Sequence, residues 1–96
     1  MAKSLREKRG ISDVNNGEKI GKYTMSVAVM LTNVEAYRIR RFEKVGLLRP
    51  DRSRAGQRRY SDAEVGLIKT IAALEEEGIN LKGVKAILAM RRGERK

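Results

Sequence analysis

The sequence predicts a small, mainly α-helical domain that carries one short β-hairpin. Apolar residues recur at helical spacing in four segments, which begin near residues 23, 35, 61 and 80. Pro50 and Gly56 interrupt that spacing between the second and third segments. Because 96 residues provide one small core, we expect a single domain over residues 22–90, a basic arm over residues 1–21 and a basic tail over residues 91–96.

The first helix is predicted to begin near residue 23 and to end in a tight turn. Thr24 or Ser26 can cap its first turn. Asn33 tolerates a left-handed backbone, so residues 32–34 are expected to form a turn between two helices. The apolar face of this helix is expected to contain Met25, Ala28, Val29 and Leu31.

The second helix is predicted over residues 35–45 and has two different faces. Ile39 and Phe42 are three residues apart and are expected to face the core. The other face is basic, with one aromatic side chain, and contains Tyr37, Arg38, Arg41 and Lys44. Arg40 and Glu43 are also three residues apart, and the alternative to a functional role for them is a simple surface ion pair.

Residues 46–60, GLLRPDRSRAGQRRY, contain five arginines and separate the second helix from the third. Gly46 suits the position after a helix, and Pro50 prevents the following segment from being helical. We expect a hairpin with a loop over residues 51–57 that turns near Gly56. Tyr60 is expected to cover the core at the base of this hairpin.

The third and fourth helices have clear end signals. Ser61 and Glu64 form a capping box, Gly78 suits the end of the third helix, and Asn80 can cap the fourth. The residues expected to face the core are Val65, Ile68, Ile71, Ala72, Leu74, Leu81, Val84, Ile87 and Leu88. The acidic run at residues 75–77 is interpreted as a solvated helix end.

Charge predicts a polyanionic partner. The chain has a formal net charge of +10, and residues 35–60 hold nine basic and three acidic side chains, whereas residues 61–90 hold three and five. Folding does not require such an excess, so nucleic acid is the first candidate and an acidic membrane surface the second. A basic working surface beside a separate scaffold is therefore expected.

Composition excludes several classes of function. The chain has no cysteine and no histidine, which argues against disulfides, transition-metal sites and the commonest general base. We expect no cofactor and no enzymatic activity, because the sequence offers neither a nucleophile with a base nor a phosphate-binding glycine loop. No apolar run has the length of a signal peptide or a membrane span, so a cytoplasmic protein is expected.

Two short helices joined by a tight turn have the shape of a helix-turn-helix, and the basic hairpin beyond them would serve as a wing. The second helix would fit the major groove of DNA while the wing follows the phosphate backbone. The alternative is an ordinary helical hairpin whose basic face is simply solvated. DNA is favoured over RNA because the chain has only four aromatic residues on which single-stranded bases could stack.

Residues 23–88 resemble the DNA-binding domain of the MerR superfamily of bacterial transcription regulators, and are most similar to its glutamine-synthetase repressor and heat-shock repressor branches. RIRRFEKVGLLRP is similar to the family's second helix and wing start, GQRRYS to its wing end, and EEGINLKGVKAIL to its last helix pair. The resemblance implies a winged helix-turn-helix that binds a palindromic operator as a homodimer. The DNA-binding residues that it implies are Tyr37, Arg38, Arg40, Arg41, Arg52, Ser53, Gln57, Arg58 and Arg59.

This sequence departs from the family pattern at Phe42, where tyrosine is usual, and at Arg38 and Arg41. The long dimerisation helix and cysteines of metal-sensing members are not found, which fits the short repressors. In those, the chain ends help to pair subunits or contact a regulating protein, so residues 1–21 are expected either to form dimer contacts or to be disordered. We expect the protein to be a transcriptional repressor, and the alternative is a phage excisionase-like or architectural DNA-binding accessory protein.

Overall fold

The computed structural model describes residues 17–93 and confirms a mainly helical fold with a small β-hairpin. Expectations for residues 1–16 and 94–96 lie outside the described residues. The elements, numbered here in chain order after a helical turn at residues 17–19, are α1 (Met25–Thr32), α2 (Ala36–Lys44), β1 (Asp51–Arg52), β2 (Arg58–Arg59), α3 (Asp62–Glu76) and α4 (Leu81–Arg91).

Helix α1 is capped at both ends as its sequence predicts. The hydroxyl of Thr24, and not that of Ser26, accepts a hydrogen bond from the backbone N–H of Val27. Asn33 follows the helix in the left-handed conformation, with φ 60°. The expectation that Leu31 faces the core is wrong, because this residue is 46% exposed in the last turn of the helix, whose completely buried residue is Ala28.

Helix α2 is held by two completely buried side chains, Ile39 and Phe42, as expected. It ends at Lys44, and two residues later comes Gly46, whose φ of 86° is a conformation that residues with a Cβ rarely adopt. The backbone N–H of Leu47 donates back to the carbonyl of Phe42 at 2.9 Å. This tight end turns the chain from the helix-turn-helix directly into the hairpin.

The hairpin is short, and it is extended by residues that precede α1. Strands β1 and β2 pair antiparallel, with Asp51 opposite Arg59. Beyond β2, Tyr60 forms a bridge with Tyr23, in which each backbone N–H donates to the other's carbonyl at 2.7 and 2.9 Å. The backbone N–H of Gly21 also donates to the carboxylate of Asp51. This pairing has no signal in the sequence, and it joins Gly21 to the hairpin.

Helices α3 and α4 complete the core. Both halves of the capping box are formed between Ser61 and Glu64, and Asn80 accepts a hydrogen bond from the N–H of Gly83 at 2.8 Å. Helix α3 packs against both α1 and α4. Completely buried Tyr60 joins the same core at the base of the hairpin, as expected. Within residues 17–93, every helix is too short or too polar to cross a membrane.

Candidate nucleic-acid interface

The outer face of α2 presents the predicted basic surface. Burial of Ile39 and Phe42 fixes the rotation of the helix, so that the side chains between them point away from the core. Tyr37 is 59% exposed, and Arg40 and Arg41 are also exposed. The helix therefore holds an aromatic side chain and several guanidinium groups on a rigid element that is narrow enough for a DNA groove.

The loop of the hairpin is ordered by its own polar groups. Ser53 accepts a hydrogen bond from the backbone N–H of Gln57 through its hydroxyl, at 3.1 Å, while its own N–H donates to the carbonyl of Gln57. Arg52 donates from Nη1 to the carbonyl of Gly56 at 3.0 Å. Ser53 thus shapes the loop, and Arg52 lies along it with its remaining donors exposed.

Arg54 at the tip of this loop was not among the predicted site residues. Its side chain is exposed, and no ion pair involves it among the residues that the structure describes. Its position between Pro50 and Gly56 in the sequence is the signal that could have identified it. A basic side chain at the tip of a two-stranded hairpin can reach farther than those on its strands.

An ion pair fastens the hairpin to α2. Nε of Arg58 lies 2.8 Å from a carboxylate oxygen of Glu43, and the hydroxyl of Tyr60 donates to the same carboxylate. The hydrogen bond with Glu43 raises the pKa of Arg58, and burial raises that of Tyr60. Glu43 therefore pairs with Arg58 across the fold, and the surface pair suggested for it with Arg40 is wrong.

Arg38 is held in a similar way, against the end of α3. Its Nη2 lies 2.9 Å from a carboxylate oxygen of Glu75, and this hydrogen bond raises the pKa of Arg38. The other carboxylate oxygen of Glu75 accepts from Nη2 of Arg41 at 3.1 Å. The interpretation of residues 75–77 as a solvated helix end is thus wrong at Glu75, whose side chain is only 15% exposed.

The start of α1 faces the hairpin across an open cleft. Unpaired backbone N–H groups at a helix start attract anions, and the facing side of this cleft supplies basic and amide side chains. The cleft is lined by Thr24, Met25, Ser26, Arg52, Gly56, Gln57 and Arg58. Such a surface suits a phosphate group.

Arg59 is separated from this cleft. It is adjacent to Arg58 on β2, and neighbouring side chains of a strand point to opposite faces. Arg58 turns to Glu43, while Arg59 lies beside Gly21. The structure therefore brings α2, the loop of the hairpin and the start of α1 together, and leaves Arg59 on the other side of the hairpin. In residues 17–93 no cluster of acidic side chains has the make-up of a metal site.

Comparison with known proteins supports a regulatory role for this fold. Residues 23–91 match the family described as MerR HTH family regulatory protein. The chain is 36% identical over 69 residues to the heat shock protein HspR of Streptomyces coelicolor, covering 71% of this chain and 46% of HspR. It is 28% identical over 72 residues to the HTH-type transcriptional regulator GlnR of Bacillus anthracis, covering 75% of this chain and 56% of GlnR. The chain thus spans about half the length of these relatives.

A third relative and a solved structure agree. The HTH-type transcriptional repressor CarH of Myxococcus xanthus is 33% identical over 67 residues, which are 69% of this chain and 22% of CarH. The crystal structure of HiNmlR, a MerR family regulator lacking the sensor domain and bound to promoter DNA, superimposes with a TM-score of 0.69 at 27% identity. That match covers 76% of this chain and 56% of HiNmlR.

Proposed function

This chain belongs to the MerR HTH family of regulatory proteins, and we propose that it is a sequence-specific repressor that binds a palindromic operator as a homodimer. The family places it among DNA-binding transcription regulators rather than enzymes. The observation that carries the proposal is the exposed basic face of α2, which the Glu43–Arg58 ion pair joins rigidly to a basic hairpin. That hairpin, residues 47–60, is called the wing from here on.

Base reading is assigned to the exposed side chains of α2. Arg40 and Arg41 can each donate two parallel hydrogen bonds to guanine in the major groove. Tyr37 offers a hydroxyl and a ring edge on the same helix. All three are exposed in this structure, so none has to leave the core to reach DNA.

Backbone contacts are assigned to the wing and the start of α1. Arg52, Arg54 and Gln57 are exposed on the wing, where they can donate to phosphate oxygens without regard to sequence. The N–H groups that begin α1 face Arg52 across the cleft and can bind the same phosphate. These contacts would position α2 in the groove.

Four residues implied by the resemblance receive revised roles. Arg38 and Arg58 are held by carboxylates inside the fold, so we assign them to positioning α2 and the wing. Ser53 orders the loop through its hydroxyl. Arg59 lies on the far face of the wing and is left as a phosphate contact only if the DNA bends toward it.

Repression is inferred from the relatives, and pairing of two copies from the small size of the chain. CarH is named a transcriptional repressor and HiNmlR was captured on promoter DNA. A chain of this size reads few base pairs, so two copies on an inverted repeat would double the contacts and the specificity. The ends of the chain would supply the pairing or contact a regulatory protein, and the bound dimer would block a promoter.

The dependence of DNA affinity on salt tests this function. Each phosphate that the protein neutralises should contribute about −0.9 to the slope of log affinity against log salt concentration. Fluorescence anisotropy of a labelled duplex titrated with the protein at several salt concentrations measures that slope. We expect a steep decrease in affinity with salt, and a nearly flat response would contradict phosphate binding by the wing.

A further inference from the structure

Glu75 bridges two arginines of α2. It lies near the end of α3, and its two carboxylate oxygens accept hydrogen bonds from Nη2 of Arg38 at 2.9 Å and Nη2 of Arg41 at 3.1 Å. One acidic side chain of the scaffold thereby controls two of the four basic side chains on the helix that we assign to base reading. A carboxylate in this place lowers the positive potential of the surface, so its presence there calls for an explanation.

The two arginines are held to different extents. The side chain of Arg38 is 18% exposed, and its Nη1 also faces Glu35 at 3.7 Å and Glu76 at 3.8 Å. The side chain of Arg41 is 53% exposed and has one carboxylate partner. Arg38 is therefore surrounded by carboxylates, whereas Arg41 keeps most of its donors directed to solvent.

Moving Arg38 onto DNA would be costly. It would leave Glu75, only 15% exposed, with a single partner at the lower dielectric of a partly buried site. Arg41 can meet DNA without breaking its bond to Glu75, because a guanidinium carries several N–H groups. The bond then limits the directions in which Arg41 points.

We propose that Glu75 is a specificity-determining residue of the DNA interface, which keeps Arg38 away from DNA and orients Arg41 toward a base edge. Glu75 itself contacts neither base nor phosphate and acts as a positioning residue. The inference rests on the proposed DNA-binding function. It follows that loss of the Glu75 charge strengthens binding to unrelated DNA, because freed guanidinium groups bind any phosphate.

The test compares Glu75→Gln with Glu77→Gln. Both changes remove one negative charge from the same acidic run, but Glu77 is exposed and forms no ion pair among the described residues. Affinity is measured for a duplex selected from a random pool and for a scrambled duplex of the same composition, over a range of salt concentrations. Thermal melting of each variant, followed by circular dichroism, establishes that it is folded.

For Glu75→Gln we expect the salt slope on scrambled DNA to steepen by about one unit for each arginine released. The ratio of selected to scrambled affinity should fall about tenfold. For Glu77→Gln, the affinities for the selected and scrambled duplexes should stay within about twofold of those of the unsubstituted protein, since dissolved salt screens the charge of an exposed side chain. Adding Arg38→Gln to Glu75→Gln should remove one unit of the added slope.

Two outcomes would overturn the inference. One is an equal loss of affinity for both duplexes with an unchanged slope, which would make Glu75 a structural residue only. The other is a tenfold loss of the affinity ratio in Arg38→Gln at an unchanged melting temperature, which would mean that Arg38 reads a base rather than positioning α2. If the unsubstituted protein bound neither duplex, the proposed function would fail, which is distinct from either outcome.

Discussion

The carboxylate of Glu43, on α2, lies 2.8 Å from Nε of Arg58, on β2 of the wing. A two-stranded hairpin has little stability of its own in water, and the strands here have two residues each. The ion pair therefore does more than add a contact, because it sets the angle between the element that would read bases and the element that would hold phosphates. Tyr60 donates to the same carboxylate and anchors the pair to the core.

Glu43→Gln should lower the free energy of unfolding by about 1.5 to 3 kcal/mol, the range for hydrogen bonds to charged groups. The amide keeps the shape of the side chain but cannot balance the charge of Arg58. Urea unfolding followed by circular dichroism measures the effect, and Glu77→Gln, with the same charge change at an exposed position, is the control. Equal stability of the two variants would contradict a bracing role for Glu43.

Tyr60 should make the protein sensitive to alkaline pH. Burial raises its pKa in the folded state above the ordinary value near 10, so its contribution to stability is complete below about pH 10 and is lost as the pH rises through the folded value. The difference in unfolding free energy between the unsubstituted protein and Tyr60→Phe should therefore shrink between about pH 8 and about pH 11. Urea titrations at both pH values measure it, and a difference independent of pH would be inconsistent with a buried, hydrogen-bonded phenol.

Gly21→Ala should disrupt the pairing of residues 21–23 with the wing. A Cβ at Gly21 would lie 2.4 Å from the carbonyl oxygen of Arg59, which is backbone and cannot move aside alone. Gly66→Ala is the matched control, because Gly66 is exposed in the middle of α3 and a Cβ there would meet nothing within 4 Å. We expect Gly21→Ala to lower the melting temperature and Gly66→Ala to raise stability by about 1 kcal/mol. Similar melting temperatures for both variants would argue against a tight approach at Gly21.

Arg41→Ala and Arg52→Ala should weaken DNA binding in different ways. Loss of a base-reading arginine costs about 1 to 3 kcal/mol and relaxes sequence preference. Loss of a phosphate contact weakens binding to all sequences alike and makes the salt slope shallower by about one unit. Titrations of each variant with selected and scrambled duplexes separate the two effects. If Arg41→Ala preferred the selected duplex over the scrambled one as strongly as the unsubstituted protein does, the assignment of base reading to Arg41 would be wrong.

Local signals made most of the fold predictable. Helix ends were marked by residues with a single physical use, such as Asn33 in a left-handed turn and Ser61 with Glu64 in a capping box. Core positions followed helical spacing, except that Leu31 is exposed at the last turn of a short helix. Such features depend on residues a few positions apart, so a single sequence contains them.

The site was less predictable, because its organisation depends on partners far apart in the chain. Arg58 pairs with Glu43 over 15 positions and Arg38 with Glu75 over 37, and no local pattern distinguishes these arginines from exposed ones. The bridge between Tyr23 and Tyr60 also joins residues that are 37 positions apart in the sequence. Composition thus located the basic surface, while only the structure separated the arginines available to a ligand from those that hold the fold together.

Selection of bound sequences from a pool of random duplexes tests the central claim most directly. If α2 reads bases while the wing holds the backbone, and two copies bind together, the selected sequences should converge on an inverted repeat whose half-sites are about one helical turn apart. Enrichment of no sequence, with equal affinity for every duplex, would contradict sequence-specific recognition by α2 and would favour an architectural DNA-binding protein.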